Sequence, residues 1–153
     1  MLDVACGSGR HLRWLAAQGF ALTGIDRDAT ALAGLERDGR TVLADIEADP
    51  WPLAGERFDA VIVTNYLWRP LWPALLSSLG TGGVLIYETF ALGNAAYGKP
   101  SNPDFLLRPG ELLDACRGLR VVAYEDGFLE PPARCVQRIV ALQGAAADAP
   151  RPL

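Results

Sequence analysis

The sequence predicts an α/β domain built on a mostly parallel sheet with helices on both faces. Three observations carry this prediction. Apolar runs of strand length alternate with helical patterns along most of the chain. The first run ends at once in a small-residue turn, Ala5-Cys6-Gly7-Ser8-Gly9, and a helical pattern starts from it. Each of the next two strands ends on an acid, Asp26 and then Asp45.

Composition bounds the rest. The chain has 153 residues, enough for one domain with a core. Half of them are hydrophobic, which excludes a disordered chain. The net charge of -4 argues against a nucleic-acid partner or an anionic membrane surface. Cys6, Cys116 and Cys135 form no C-x-x-C pair, which fits a reduced, cytoplasmic protein. No metal-ligand spacing is visible around His11 or the cysteines. The chain has no signal-peptide pattern and no apolar run of transmembrane length.

In order, residues 1–6 read as the first strand. The Gly7–Gly9 turn suits close approach of backbone to a ligand, because no Cβ stands in the way. Arg10–Ala17 follows as a helix, with Leu12, Leu15 and Ala16 inward and Gly19 as its stop. Ala21–Asp26 is the second strand. Asp28 is an N-cap for a second helix that runs to Gly39 through Ala29, Leu32, Ala33 and Leu35. Thr41–Asp45 is the third strand. After a proline-rich loop, Phe58–Thr64 is a continuous apolar run, as a strand buried on both faces requires. Pro70–Leu79 reads as a helix stopped by Gly80, and Gly82-Gly83 leads into a fifth strand, Val84–Phe90.

Residues 91–107 form a loop long enough to be a lid, with Tyr97, Lys99 and Asn102 as its polar members. A short helix, Pro109–Cys116, precedes strands Leu119–Glu125 and Cys135–Leu142. The turn at Gly127–Pro132 makes these two an antiparallel hairpin. Residues 1–144 thus make one domain, and the Ala- and Pro-rich 145–153 is expected to be a disordered tail. The chain begins almost inside its first strand. It is therefore expected to lack an N-terminal segment, or to have a partner on the neighbouring surface; an exposed apolar face there would favour a homodimer.

In a parallel sheet, ligands bind at the carboxyl ends of the strands, where strand order switches. Asp3, the turn, Asp26, Asp45 and Asn65 all lie at such ends and should converge. Asp26 can accept both ribose hydroxyls of a nucleoside; the alternative is an acidic turn former. Asp45 can accept from an adenine amino group, with Ile46 and Leu67 against the ring; the alternative is a plain loop acid. A dinucleotide and S-adenosylmethionine compete for such a site. The dinucleotide fingerprint wants a third small residue in the first helix, and here that position is Leu12.

Leu2–Arg10 resembles the first motif of class I S-adenosylmethionine-dependent methyltransferases. Gly24-Ile25-Asp26 and Ala44-Asp45-Ile46 resemble their second and third motifs. Phe58-Asp59-Ala60-Val61 and Gly82-Gly83-Val84-Leu85 resemble their fourth- and fifth-strand signatures. Phe105–Leu112 is similar to a segment of the small tellurite-resistance type within that family.

The resemblance implies a Rossmann-like, seven-stranded sheet of order 3-2-1-4-5-7-6 with strand seven antiparallel. It implies S-adenosyl-L-methionine as cofactor. The turn residues Asp3, Ala5, Gly7 and Gly9 would hold its methionine part, Asp26 with the adjacent Arg27 its ribose, and Asp45 with Ile46 its adenine. Asn65 would complete the site. Ala5 departs from the family's first glycine, and the family's helix upstream of strand one is lacking. Asn65-Tyr66-Leu67-Trp68 differs from the Asn-Pro-Pro-Tyr of nucleobase and glutamine methyltransferases, which argues against those acceptors.

The expected function is therefore in-line methyl transfer to a small-molecule acceptor, with Tyr66 and Asn65 as catalytic residues beside the methyl. Tyr66 can equally be a packed aromatic at a helix junction. Arg69 reads as an anion-binding or a solvated charge, His11 as a rim residue rather than a base, and Glu88 and Thr89 as substrate contacts on one side of the sheet. Trp51 and Trp72 read as core fillers. Two rivals remain: a non-catalytic S-adenosylmethionine-binding or scaffold subunit, and a nucleotide-dependent oxidoreductase.

Overall fold

The computed structural model describes residues 1–144; the expected tail lies outside the described residues. Strands β1 (Leu2–Val4), β2 (Thr23–Asp26), β3 (Arg40–Leu43), β4 (Phe58–Thr64), β5 (Leu79–Phe90), β6 (Arg120–Leu129) and β7 (Arg134–Leu142) form one sheet. Its order is β3-β2-β1-β4-β5-β7-β6. β7 runs antiparallel to both neighbours and the remaining pairs are parallel. Strand order reverses between β1 and β4, which sets the switch point at the carboxyl end of β1.

Register decides which side chains share a face. Leu2 pairs with Val61, Val4 with Val63, and Val63 with Tyr87. These residues form the main core with Leu71, Leu75 and Leu112. Leu75 comes from helix α3 (Trp72–Ser77) and Leu112 from helix α4 (Glu111–Ala115). On the opposite face, helix α1 (Arg10–Ala16) buries Leu12 and Leu15 against Leu22 and Ile62. Each leucine buried this way contributes about 2 kcal/mol. Trp14 and Phe20, by contrast, are exposed.

Leu12 also has a specific partner. A Cβ built on Gly24 would stand 2.8 Å from Leu12 Cδ2. The close contact between first helix and sheet is thus made with the small residue on β2 and the large one on α1, the reverse of the dinucleotide arrangement.

Several element ends differ from expectation. β1 stops at Val4, because Ala5 turns the backbone to φ 52. The second helix, α2 (Ala29–Leu32), is a single turn rather than a run to Gly39. Asp28 caps it as expected, accepting from the N–H groups of Thr30 and Ala31. Gly34 at φ 84 then redirects the chain, so that Leu35 is fully buried. A Cβ on Gly9 would stand 2.6 Å from Leu35 Cδ2. Leu35 serves the turn after β1 and no helix face.

The predicted helix over 70–79 is a 3-10 turn at Arg69–Leu71 followed by α3. Gly80 lies inside β5, not at a helix stop. Gly127 lies inside β6, since the hairpin pairs further than its apolar residues suggest. Residues 91–107 contain two 3-10 turns, Asn94–Ala96 and Pro103–Phe105.

Candidate functional site

The site is assembled at the carboxyl ends of β1, β2, β3 and β4. Beyond β1 the chain passes Ala5 at φ 52, Gly7 at φ 53 and Gly9 at φ 76. Ala5 holds a left-handed conformation that favours glycine. This tight path brings the Gly7 N–H to Asp26 Oδ2 at 2.7 Å. Asp26 Oδ1 accepts from the Asp28 N–H at 2.9 Å. Each Asp26 oxygen therefore keeps one lone pair for another donor.

Asp45 stands beyond β3 rather than on it. Its Oδ1 accepts from the Glu47 N–H at 3.0 Å, and its Oδ2 lies 3.9 Å from Arg27 Nη1. Between these acids opens a cleft of about 320 Å³, lined among others by Ala5, Asp26, Arg27, Asp45, Ile46 and Tyr66. That volume is within the range of small-molecule sites. A second cleft of about 220 Å³ includes Asn65, Leu67, Thr89 and Phe90. Glu47, Tyr66 and Phe105 line both clefts.

Asp3 is the buried acid of the site. It is 1 % exposed, and its Oδ2 has no hydrogen-bond partner. Burial pushes its carboxyl up to about 7; Arg10 pulls it down and Asp26 adds to the rise. His11 Nδ1 lies 3.8 Å from that oxygen. Burial and Arg10 push the imidazole below its ordinary value, against Glu88. Burial thus disfavours the charged form of each group, and 3.8 Å is a loose contact rather than a hydrogen-bonded ion pair. Cys6, in the same turn, is pushed up to about 12 by burial and by Asp3 and Asp26. Its thiol is no nucleophile.

Tyr66 follows the strained Asn65, which sits at φ 55 with its N–H donating to the Glu88 carbonyl. The Tyr66 hydroxyl donates to Glu47 Oε1 at 3.2 Å. Burial and Glu47 raise the phenol above its ordinary value, so it stays protonated. From beneath, the buried Tyr87 donates to the Tyr66 carbonyl at 2.8 Å and stacks on Trp72 at 4.7 Å. Tyr66 is both packed and cleft-lining, which joins the two readings of its sequence position.

Other expectations need correction. Glu88 and Thr89 point to opposite faces, as neighbours in a strand must. Thr89 lines the second cleft, whereas Glu88 meets Arg138 at 2.6 Å and Arg134 at 3.6 Å. Arg69 is engaged within the protein rather than free in solvent. It clamps Glu111 with Nε to Oε1 at 2.6 Å and Nη2 to Oε2 at 3.0 Å. It also donates to the carbonyls of Asp104 and Leu106.

The long loop is pinned. Buried Asn94 donates to the Pro100 carbonyl and accepts from the Cys135 N–H. Tyr97 packs on Phe128 at 4.8 Å, and Asn102 accepts from the Asp104 N–H. Glu47 and Phe105, which line both clefts, were missed by the sequence reading, as were Phe90 and Pro100 in the second. Glu47 was within reach, being next to Ile46. Phe105 arrives from 40 residues beyond Asn65 and carries no local signal.

A family model described as a methyltransferase domain matches residues 1–81. No curated protein matches the chain. Among solved structures, TehB from Haemophilus influenzae superposes with a TM-score of 0.74 at 18% identity, over 93% of this chain and 57% of that one. The chain thus spans little more than half the length of TehB. The N-methyltransferase NodS from Bradyrhizobium japonicum gives 0.71 at 16% identity, over 94% of this chain and 85% of that one. The [4+2]-cyclase SpnF gives 0.72 at 17% identity, over 94% and 73%. At these identities the likeness is one of fold, and NodS and SpnF are named for different chemistries.

Proposed function

Because the chain belongs to the methyltransferase-domain family, we propose that it transfers a methyl group from S-adenosyl-L-methionine to a small-molecule acceptor. One observation carries the proposal: Asp26 and Asp45 line a cleft of about 320 Å³ together with Ala5, the first residue of the turn that follows β1.

The residues fit the group. Asp26 keeps a free lone pair on each oxygen, as a ribose diol requires. Asp45 and Ile46 offer an acceptor and an apolar surface for adenine. The turn leaves room for the methionine part at Gly7, where a Cβ would meet no protein atom within 4 Å, while Gly9 is closed off by Leu35 and shapes the turn from behind. The orphaned Asp3 Oδ2 is a buried acceptor without a partner, and an ammonium placed beside it would favour the ionised carboxylate. Arg27 flanks Asp45 at the rim.

S-adenosyl-L-methionine supplies a methyl on a sulfonium, already activated by its charge. The protein's part is then alignment and exclusion of water. Tyr66, where the two clefts meet, and Asn65, in the second, align the acceptor; the Tyr66 ring also offers a face to positive charge. With its phenol held protonated and donating to Glu47, Tyr66 is not a base and orients through Glu47 and its ring.

Calorimetric titration with S-adenosylhomocysteine tests the proposal. Binding by the wild type that is lost in Asp26→Ala supports it; a wild type that does not bind overturns it. Turnover with an acceptor then separates an enzyme from a binding or scaffold subunit.

A further inference from the structure

The geometry points to a small amine, attached to an aromatic or aliphatic body, as the methyl acceptor. The inference rests on the proposed function and names the substrate class for the same site.

The second cleft is where an acceptor fits, since it opens onto the first through Glu47, Tyr66 and Phe105. Its volume, about 220 Å³, matches on the order of seven waters of liquid volume. Leu67, Phe90 and Phe105 give it apolar walls, and Asn65, Tyr66 and Thr89 add neutral polar groups. Among the described residues that line it, Glu47 is the one charged side chain. Aromatic faces together with one carboxylate are the chemistry that recognises an organic ammonium.

The same site repels an anion, because each nearby cation is engaged or lies outside it. Arg69 is held by Glu111 and two carbonyls. Arg134 and Arg138 pair with Glu88, on the other face of the sheet from Thr89. Arg27 lines the first cleft, beside Asp45. Lys99, next to the lining Pro100, is exposed and outside the lining. An oxyanion or a carboxylate would meet Glu47 with no compensating charge.

The roles of Glu47 and Tyr66 follow. Glu47 holds the incoming ammonium, while the Tyr66 hydroxyl fixes the carboxylate by donating to it. The ammonium sheds one proton to water at the cleft mouth, which exposes the nitrogen lone pair. That pair forms the new carbon–nitrogen bond as the methyl–sulfur bond breaks, leaving its electrons on a neutral thioether. The positive charge ends on the methylated nitrogen, still facing Glu47 and the rings.

The test is binding of matched probes to the full chain at saturating S-adenosylhomocysteine. Phenethylamine and 3-phenylpropionate share one body and differ in charge. The amine is expected to bind at least tenfold more tightly. Glu47→Gln should shrink that preference to threefold or less, and Glu47→Lys should reverse it. Unchanged melting midpoints in both variants confirm folding. Equal or tighter binding of the carboxylate, a preference that survives Glu47→Gln, or no binding of either probe overturns the inference alone. Absence of S-adenosylhomocysteine binding, measured first on the wild type, overturns the reading of the site and the inference with it.

Discussion

The Gly7 N–H donates to Asp26 Oδ2 at 2.7 Å, so the turn after β1 is fastened to the end of β2 by the acid that the proposed function assigns to the ribose. One side chain thus shapes the cleft and is expected to hold its ligand. Binding and local order are coupled through it.

Asp26→Ala should therefore lose more than binding. S-adenosylhomocysteine affinity is expected to fall by about 100-fold or more, the worth of two charge-assisted hydrogen bonds. Stability should fall by about 1–2 kcal/mol, because the N–H groups of Gly7 and Asp28 lose their acceptor. Asp26→Asn, which keeps an oxygen for one of them, should recover part of the stability and little of the affinity. Urea denaturation beside calorimetry reads both quantities. Equal affinity in wild type and Asp26→Ala would remove the ribose assignment.

Ala5→Gly should stabilise the protein by about 1 kcal/mol. Ala5 occupies φ 52, where its Cβ crowds the backbone and glycine does not. The gain is expected as a higher melting temperature with an unchanged urea m-value. A lower melting temperature would mean that contacts of the Ala5 methyl outweigh the backbone strain.

Asp3 should make stability fall as pH rises. Its folded carboxyl lies at about 7, above the ordinary 3.8. Its favourable contribution is therefore complete below pH 3.8 and is lost as pH rises through about 7, where the buried group must ionise. Asp3→Asn should exceed the wild type in stability by on the order of a few kcal/mol at pH 8. Near pH 4 the two should agree. Urea titrations at the two pH values check this, and a pH-independent difference would refute it. The same variant should bind S-adenosylhomocysteine less tightly, so stability would be gained where function is lost.

The Arg69–Glu111 pair carries the opposite sign. Burial alone would raise Glu111, but its hydrogen bonds from Arg69 and Arg108 prevail and hold the carboxyl down to about 2. Its contribution is present above pH 4.5 and is lost as pH falls through about 2. Glu111→Gln should cost about 2–4 kcal/mol at pH 7, since the amide keeps one acceptor for Arg69 but loses the charge and turns an NH2 donor toward the guanidinium. It should also loosen residues 104–106, read as faster amide exchange there. Unchanged exchange would show that Asn94 and the Leu92–Leu107 backbone bond hold the loop without the clamp.

The strands were legible because their apolar runs reflect burial, and burial follows from composition over a few residues. Phe58–Thr64 was read to the residue for this reason. Helix ends were less legible. Gly34 and Leu35 look like the tail of an amphipathic helix, yet Leu35 is buried against the turn at Gly9, a contact between distant segments. Gly80 resembles a helix stop because glycine often is one; here it enters a strand paired with β4.

For the site, the sequence by itself determined the acids and the turn. Asp3, Asp26, Asp45 and the Ala5–Gly9 path stand at strand ends, and a parallel sheet brings strand ends together whatever the loops do. Tertiary structure alone decided what each charge does. It gave Arg69 to Glu111 and Glu88 to the β7 arginines, stripped Asp3 of water and brought Phe105 to Tyr66. Backbone periodicity is a local property, written into spacing. The state of a charge depends on which groups surround it in space, and those come from anywhere in the chain.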